Sequence, residues 1–226
     1  RMYESGGEEL EQVLKESSKA GAVTSLDMAL PDPDSAAGQA DWRKILGRAL
    51  PHTDIFLPSL EELIFMLRRE RFDKLAGQPG GICENFTTED LRALSEECLQ
   101  LGAQIVVVKC GHVGAYLRTE DRPQGMKTCL GRVEDWEGKE IFEPTCRVQN
   151  IASATGAGDS SISGFLAAML RGEAPHWCMA ALTVVGRQNL SALDAVSGVR
   201  SWDKTVAELE SAPEKNPIPD RLAELR

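Results

Sequence analysis

The sequence predicts an α/β domain with a mostly parallel central sheet flanked by helices. Three observations carry that prediction. Short apolar strand candidates alternate with helical stripes through the first half of the chain. The run Ile105-Val106-Val107-Val108 is continuously β-branched, as expected of a strand covered on both faces. A glycine-rich string, Ser153 to Ser160, stands between a strand candidate and an apolar helix.

Taken in order, Leu10, Val13 and Leu14 recur at helical spacing after Gly6-Gly7, and the pattern stops at Ala20-Gly21, where glycine suits a helix C-terminus. Residues Ala22 to Leu26 read as a strand ending in Asp27. Pro31 to Gln39 is turn-rich, and Trp42, Ile45, Leu46 and Ala49 give a second helical stripe before Pro51. Asp54-Ile55-Phe56-Leu57 is a short apolar strand closed by Pro58, after which Leu60, Leu63, Ile64 and Leu67 restore the helical period. Arg68 to Phe86, charged and carrying Gly77, Pro79, Gly80 and Gly81, reads as a loop insertion.

Thr87 is placed as an N-cap, with Glu89 and Asp90 in the first turn and Leu91, Leu94, Cys98 and Leu101 on one face. After the Ile105–Val108 strand, Gly111 and Gly114 turn the chain into Ala115–Arg118, an antiparallel return. Thr119 to Glu140 reads as polar and irregular, followed by a strand near Arg147–Ala152. Helices are expected from Ala157 to Leu170, from Pro175 to about Asn189 and near Ser201–Glu210.

Composition narrows the function. The 226 residues amount to one large domain or one and a half small ones at about 150 residues per domain. Lys plus Arg number 25 against 35 for Asp plus Glu, a net charge of −10, which disfavours a nucleic-acid partner but leaves room for a local pocket for a small phosphate compound. No apolar run approaches the roughly 18 residues of a membrane span. The charged stretch Arg1–Leu14 does not read as a signal peptide. Cys83, Cys98, Cys110, Cys129, Cys146 and Cys178 form no C-x-x-C pair and only three histidines exist, so neither a zinc site nor a disulfide framework is expected; a reducing cytoplasmic home follows.

The chemistry concentrates in Ser153-Ala154-Thr155-Gly156-Ala157-Gly158-Asp159-Ser160. Two glycines flanking a small residue let the backbone turn sharply, and the N–H groups that open the following helix face the same point. That is an anion site. Asp159 serves there either as a first-turn acid favourable to the helix dipole or as the base that takes a proton from a hydroxyl attacking a bound phosphoryl group. Other motifs fit less well. A Rossmann fingerprint needs glycine where Ser161 stands, and no G-K-[ST] exists for a P-loop. A Ser160 hydrolase needs a later histidine, and only His176 follows.

In this context the T-G-A-G-D string resembles the signature of the ribokinase-like (PfkB) family of carbohydrate and nucleoside kinases. Asp54-Ile55-Phe56-Leu57-Pro58-Ser59-Leu60-Glu61-Glu62 resembles the family's D-x-x-x-P-N-x-x-E segment. Val108-Lys109-Cys110-Gly111-His112-Val113-Gly114-Ala115 resembles its glycine strand-turn, and Gly164-Phe165-Leu166 its helix continuation. The likeness runs over roughly residues 7 to 200.

The resemblance implies a ribokinase-like fold and phosphorylation of a sugar hydroxyl by ATP and Mg²⁺. It implies Asp159 as catalytic base, with the backbone of Gly156, Ala157 and Gly158 as anion hole. It implies nucleotide contacts from Lys109, Gly111, Gly114, Thr155 and Asn189, and a magnesium-ordering role for Glu62. Two positions depart from the pattern: Ser59 stands in place of Asn, and Ser153 in place of the Asp associated with a monovalent cation. By the same resemblance, residues 1–226 form the C-terminal portion of a single kinase domain, with the first strands, the sugar-binding lid and dimerisation through that lid belonging to an absent N-terminal portion. The expected partners are ATP and a small sugar, with a nucleoside kinase or a non-catalytic nucleotide-binding relative as alternatives.

Overall fold

The computed structural model describes residues 2–123 and 131–225; Arg1, Arg226 and the stretch 124–130, which includes Cys129 and part of the segment read as irregular, lie outside it. The sheet contains β1 (Ser25–Leu26), β2 (Ile55–Phe56), β3 (Ile105–Lys109), β4 (Gly114–Thr119) and β5 (Glu140–Pro144), in spatial order β1-β2-β3-β4-β5. β1, β2 and β3 pair in parallel, Ser25 opposite Ile55 and Ile55 opposite Ile105. β4 runs antiparallel to both β3 and β5, so four of the five strands point one way.

The β-branched run explains the layering. Side chains alternate across a strand, so Val106 and Val108 join Phe56, Tyr116 and Phe142 in one core. That core is closed by α1 (Glu8–Lys19), α2 (Trp42–Ala49), α3 (Leu60–Leu67) and α6 (Thr88–Gln100). Ile105 and Val107 join Ile55, Leu57, Ala115 and Leu117 on the opposite face, under α7 (Ala157–Met169) and α8 (Pro175–Asn189). Every residue from Ile105 to Val108 is fully buried, each side chain worth roughly 1.5–3 kcal/mol of transfer free energy.

Local chemistry sets the helix starts. Asp41 caps α2 by accepting from the Lys44 N–H at 3.1 Å. Ser59 and Glu62 close a reciprocal box on α3, and Thr87 and Asp90 do the same on α6. Pro175 occupies the first turn of α8, where its missing N–H costs nothing.

Several expectations need correction. Residues 68–86 are not a loop: they hold α4 (Arg69–Ala76) and α5 (Gly81–Asn85). Their charges are anchors, since Arg71 makes a two-pronged pair with Asp90 at 3.1 and 2.8 Å, Arg69 stacks over Phe65, and Phe72 meets Phe65 edge-on. No strand covers 147–152. The ladder ends at Pro144, and after it only Cys146 bridges, to Lys215 in the C-terminal segment. β5 begins at Glu140, at the end of the stretch read as irregular, and the fully buried Trp136 precedes it in a short 3₁₀ turn. On α1, Leu10 and Leu14 are buried but Val13 is exposed. The last helix is α9 (Trp202–Glu210). No helix among the described residues is long and apolar enough to cross a membrane.

Candidate functional site

The strand directions assemble the site. Asp27, the Pro58–Glu62 segment and Lys109–Gly111 leave β1, β2 and β3 at one edge, and β5, which points the same way, feeds the chain that leads to α7. The carboxyl edge of an open α/β sheet is where such folds bind ligands.

At the start of α7, Gly156 adopts a left-handed conformation, φ 75°, as the N-cap. A side chain there would meet the Ala195 Cβ at 2.5 Å and its Cα at 2.7 Å, so only glycine fits. The first helical bond is Ser160 N–H to Gly156 O at 2.9 Å, while the Ala157 N–H donates to Ala154 O at 3.1 Å. The Gly158 and Asp159 N–H groups therefore precede any i−4 carbonyl in this helix and point out of its end. A Cβ on Gly158 would have nothing within 4 Å, so this stretch of backbone is open to close approach. Asp159 lies exposed in the same turn, and its carbonyl accepts from the Ser163 hydroxyl at 2.9 Å.

The turn is braced from α8. Asn189 is fully buried and its Nδ2 donates to Thr155 O at 2.8 Å; its Oδ1 makes no hydrogen bond in the structure. Asn189 thus reaches the site through Thr155, which is itself exposed. Ser153 Oγ accepts from the Thr155 N–H at 3.1 Å, a local turn that a serine completes. Ser160 is buried with its hydroxyl 3.3 Å from Ala195 O, so it is not presented as a nucleophile.

Across the edge, Lys109 Nζ lies 2.7 Å from Asp27 Oδ1, with the lysine side chain 14% exposed. Glu62 stands beside both and is only 9% exposed, not the surface acid that a first helical turn usually shows. Its Oε2 accepts from the Ser59 N–H at 2.7 Å, and Ser59 Oγ accepts from the Glu62 N–H at 3.2 Å. Burial raises the Glu62 carboxyl above its ordinary range; the Ser59 hydrogen bond and Lys109 pull it back only in part, and Asp27 pushes the same way as burial. Asp27 was missed as a site residue. The available signal was an acid at the carboxyl end of a strand in a parallel sheet.

Gly111, φ 57°, and Gly114 shape the turn between β3 and β4. Cys83 of α5 packs against it, its Sγ 3.0 Å from where a Gly111 Cβ would be, and burial beside Glu61 pushes its thiol up to about 11. It is therefore a packing group and not a reactive thiolate. A Gly114 side chain would collide with Glu143 O at 2.5 Å, so that glycine serves the close β4–β5 approach.

Among the described residues no group of three His, Cys, Asp or Glu forms a protein cage for a metal. A magnesium ion does not need one, because it keeps most of its water and takes one or two carboxylates together with phosphate oxygens. Glu62, buried with one oxygen still outside the capping box, and Asp27 fit that demand.

Fold and site together define a class: an open α/β protein with a glycine turn at a helix N-terminus and a lysine–carboxylate cluster at the carboxyl edge of its sheet. The family can be named as well. The model of the pfkB family of carbohydrate kinases matches residues 3–196, and the chain belongs to that family. It is 28% identical over 146 residues to an uncharacterized sugar kinase of Archaeoglobus fulgidus, covering 65% of this chain and 42% of that one. Among solved structures it is similar to Arabidopsis thaliana ribokinase complexed with ribose and ATP (22% identity, TM-score 0.63, 89% of this chain and 52% of that one). It is also similar to an E. coli protein solved with ATP and Mg²⁺ (18% identity, TM-score 0.61, 89% and 53%). The chain spans about half the length of these relatives.

Proposed function

We propose that this chain carries the nucleotide-binding and catalytic half of an ATP-dependent carbohydrate kinase, with Asp159 as the general base for a sugar hydroxyl. The observation that carries the reading is the placement of Asp159. Its carboxylate is exposed in the same helical turn whose N–H groups point into open space, so a proton acceptor and an anion cradle address one point.

The chemistry follows from that arrangement. Phosphoryl transfer passes through a loose transition state, and catalysis rests on positioning and on electrostatic stabilisation of the equatorial oxygens. The Gly158 and Asp159 N–H groups supply fixed donors to that charge, Gly156 shaping the turn and the Ala157 N–H being spent on Ala154 O, and Asp159 receives the proton of the attacking hydroxyl. Lys109, held by Asp27, places a positive charge at the same edge for the nucleotide phosphates. Bound Mg²⁺ would neutralise phosphate charge beside Glu62 and Asp27. The Gly111–Gly114 turn borders the ATP site in this reading, with Thr155 and Asn189 shaping its other side.

Asp159→Asn is the test. In the protein as encoded it lowers turnover by roughly 10²–10⁴-fold while Mg-ATP affinity stays within about twofold. Retained turnover sinks the assignment. A second reading, a nucleotide-binding relative without catalysis, draws on Ser59 and Ser153, each committed to a local turn. It predicts that Mg-ATP raises Tm while no sugar or nucleoside in a broad panel stimulates ADP release.

A further inference from the structure

The family match ends at residue 196, yet the chain beyond α9 folds back onto the β3–β4 turn. It first runs antiparallel to the segment after β5. The Arg147 N–H donates to Glu214 O at 2.8 Å, the Asn216 N–H donates to Thr145 O at 2.9 Å, and Cys146 bridges Lys215. Lys215 Nζ spends its three protons on Glu143 (2.7 Å), Thr183 Oγ1 (2.8 Å) and Cys146 Sγ (3.2 Å), pinning the segment to β5 and α8.

From there the segment reaches the Gly111–Gly114 turn by two routes. Asn216 Nδ2 donates to Thr145 Oγ1 at 2.9 Å, and Thr145 Oγ1 in turn donates to His112 O at 2.6 Å. Because a hydroxyl has one proton, the Asn216 donor forces that proton toward the turn. The Thr145 N–H adds a longer bond to Val113 O at 3.4 Å. On the other side Arg221 Nη2 donates to Cys83 O at 2.6 Å and its Nη1 lies 3.7 Å from Glu84 Oε2, the other oxygen of that carboxylate being 2.6 Å from His112 Nε2. Leu222, fully buried, anchors this end.

We propose that residues 213–225 are a strap that holds the Gly111–Gly114 turn in its ligand-competent shape, with Asn216 and Arg221 as positioning residues. The inference rests on the reading of that turn as part of the nucleotide site. Gly111 gives the turn backbone freedom, and the two carbonyls that follow it accept from Thr145, which Asn216 of the strap holds in place. A preorganised turn binds without first being ordered.

The test uses the 226-residue chain, with Mg-ATP titrated calorimetrically and amide hydrogen exchange followed in parallel. Asn216→Ala raises the Mg-ATP Kd about five- to tenfold, the effect of one net hydrogen bond, and exchange quickens at residues 111–113 with little change elsewhere. Asn216→Asp keeps the shape but loses the donor, and it behaves like the alanine variant. Glu214→Ala, which breaks only the exposed pair with Arg147 on the same strap, leaves Kd unchanged. Tight wild-type binding with unaltered Asn216 variants overturns the strap, as does exchange that quickens evenly across the molecule. A wild-type chain that binds no Mg-ATP overturns the nucleotide reading instead, and with it the ligand role of the strap.

Discussion

Lys109 and Asp27, 82 residues apart in sequence, form an ion pair of 2.7 Å that ties the end of β3 to the end of β1 across β2. Glu62 completes a cluster of one positive and two acidic groups at the carboxyl edge. Lys109→Met removes the only cation in that cluster and leaves two acidic groups facing each other. The expected cost is about 1–3 kcal/mol in urea unfolding at pH 7, below the full penalty of a deeply buried pair because Asp27 is 30% exposed. Mg-ATP affinity falls as well. A variant as stable as the parent shows that the pair is only a surface contact.

Glu62 gives a pH signature. Its folded value is raised above the ordinary 4.5, chiefly by burial, so the folded state favours the protonated form. That contribution to stability is fully present below 4.5 and is lost as pH rises through the raised folded value. Glu62→Gln keeps an acceptor for the Ser59 N–H without the charge. The variant is therefore expected to match the parent at pH 4.5 and to exceed it in Tm at pH 7 to 8, while losing the added stabilisation that Mg-ATP gives the parent. Scans across that range check both signs, and a gap that widens toward acid contradicts the burial argument.

Two glycines two residues apart should respond in opposite ways. Gly156→Ala forces a side chain onto Ala195 at positive φ and is expected to destabilise by 2 kcal/mol or more, as an order of magnitude. Gly158→Ala lies inside α7 with open space around the added methyl, so stability rises by about 0.5–1 kcal/mol from helix propensity. The same methyl occupies the approach to the backbone donors, and Mg-ATP binding weakens. Denaturation and calorimetry on the pair separate the structural demand from the ligand demand.

Much of this was legible in the chain itself. The T-G-A-G-D string, the β-branched Ile105–Val108 run, the N-cap at Thr87 and the helix start at Pro175 are local signals, because turn geometry, side-chain alternation and helix-end preferences act over a few residues. Charge misled the reading where it serves packing: Arg69 and Arg71 look like loop residues until Phe65 and Asp90 are brought beside them. Glu62 was picked out by resemblance; its bond to the Ser59 N–H is the local capping box of a Ser-x-x-Glu spacing, but nothing local foretold its burial.

The sequence by itself determined the fold class and the family, and it singled out the glycine turn that opens α7, since each depends on short patterns whose physics is complete within one element. Only the tertiary structure decided that Asp27 meets Lys109, that Asn189 braces Thr155 and that Asn216 of the C-terminal segment meets Thr145. These contacts join residues 34 to 82 positions apart, and their partners are chosen by strand order and helix packing, which no local pattern encodes.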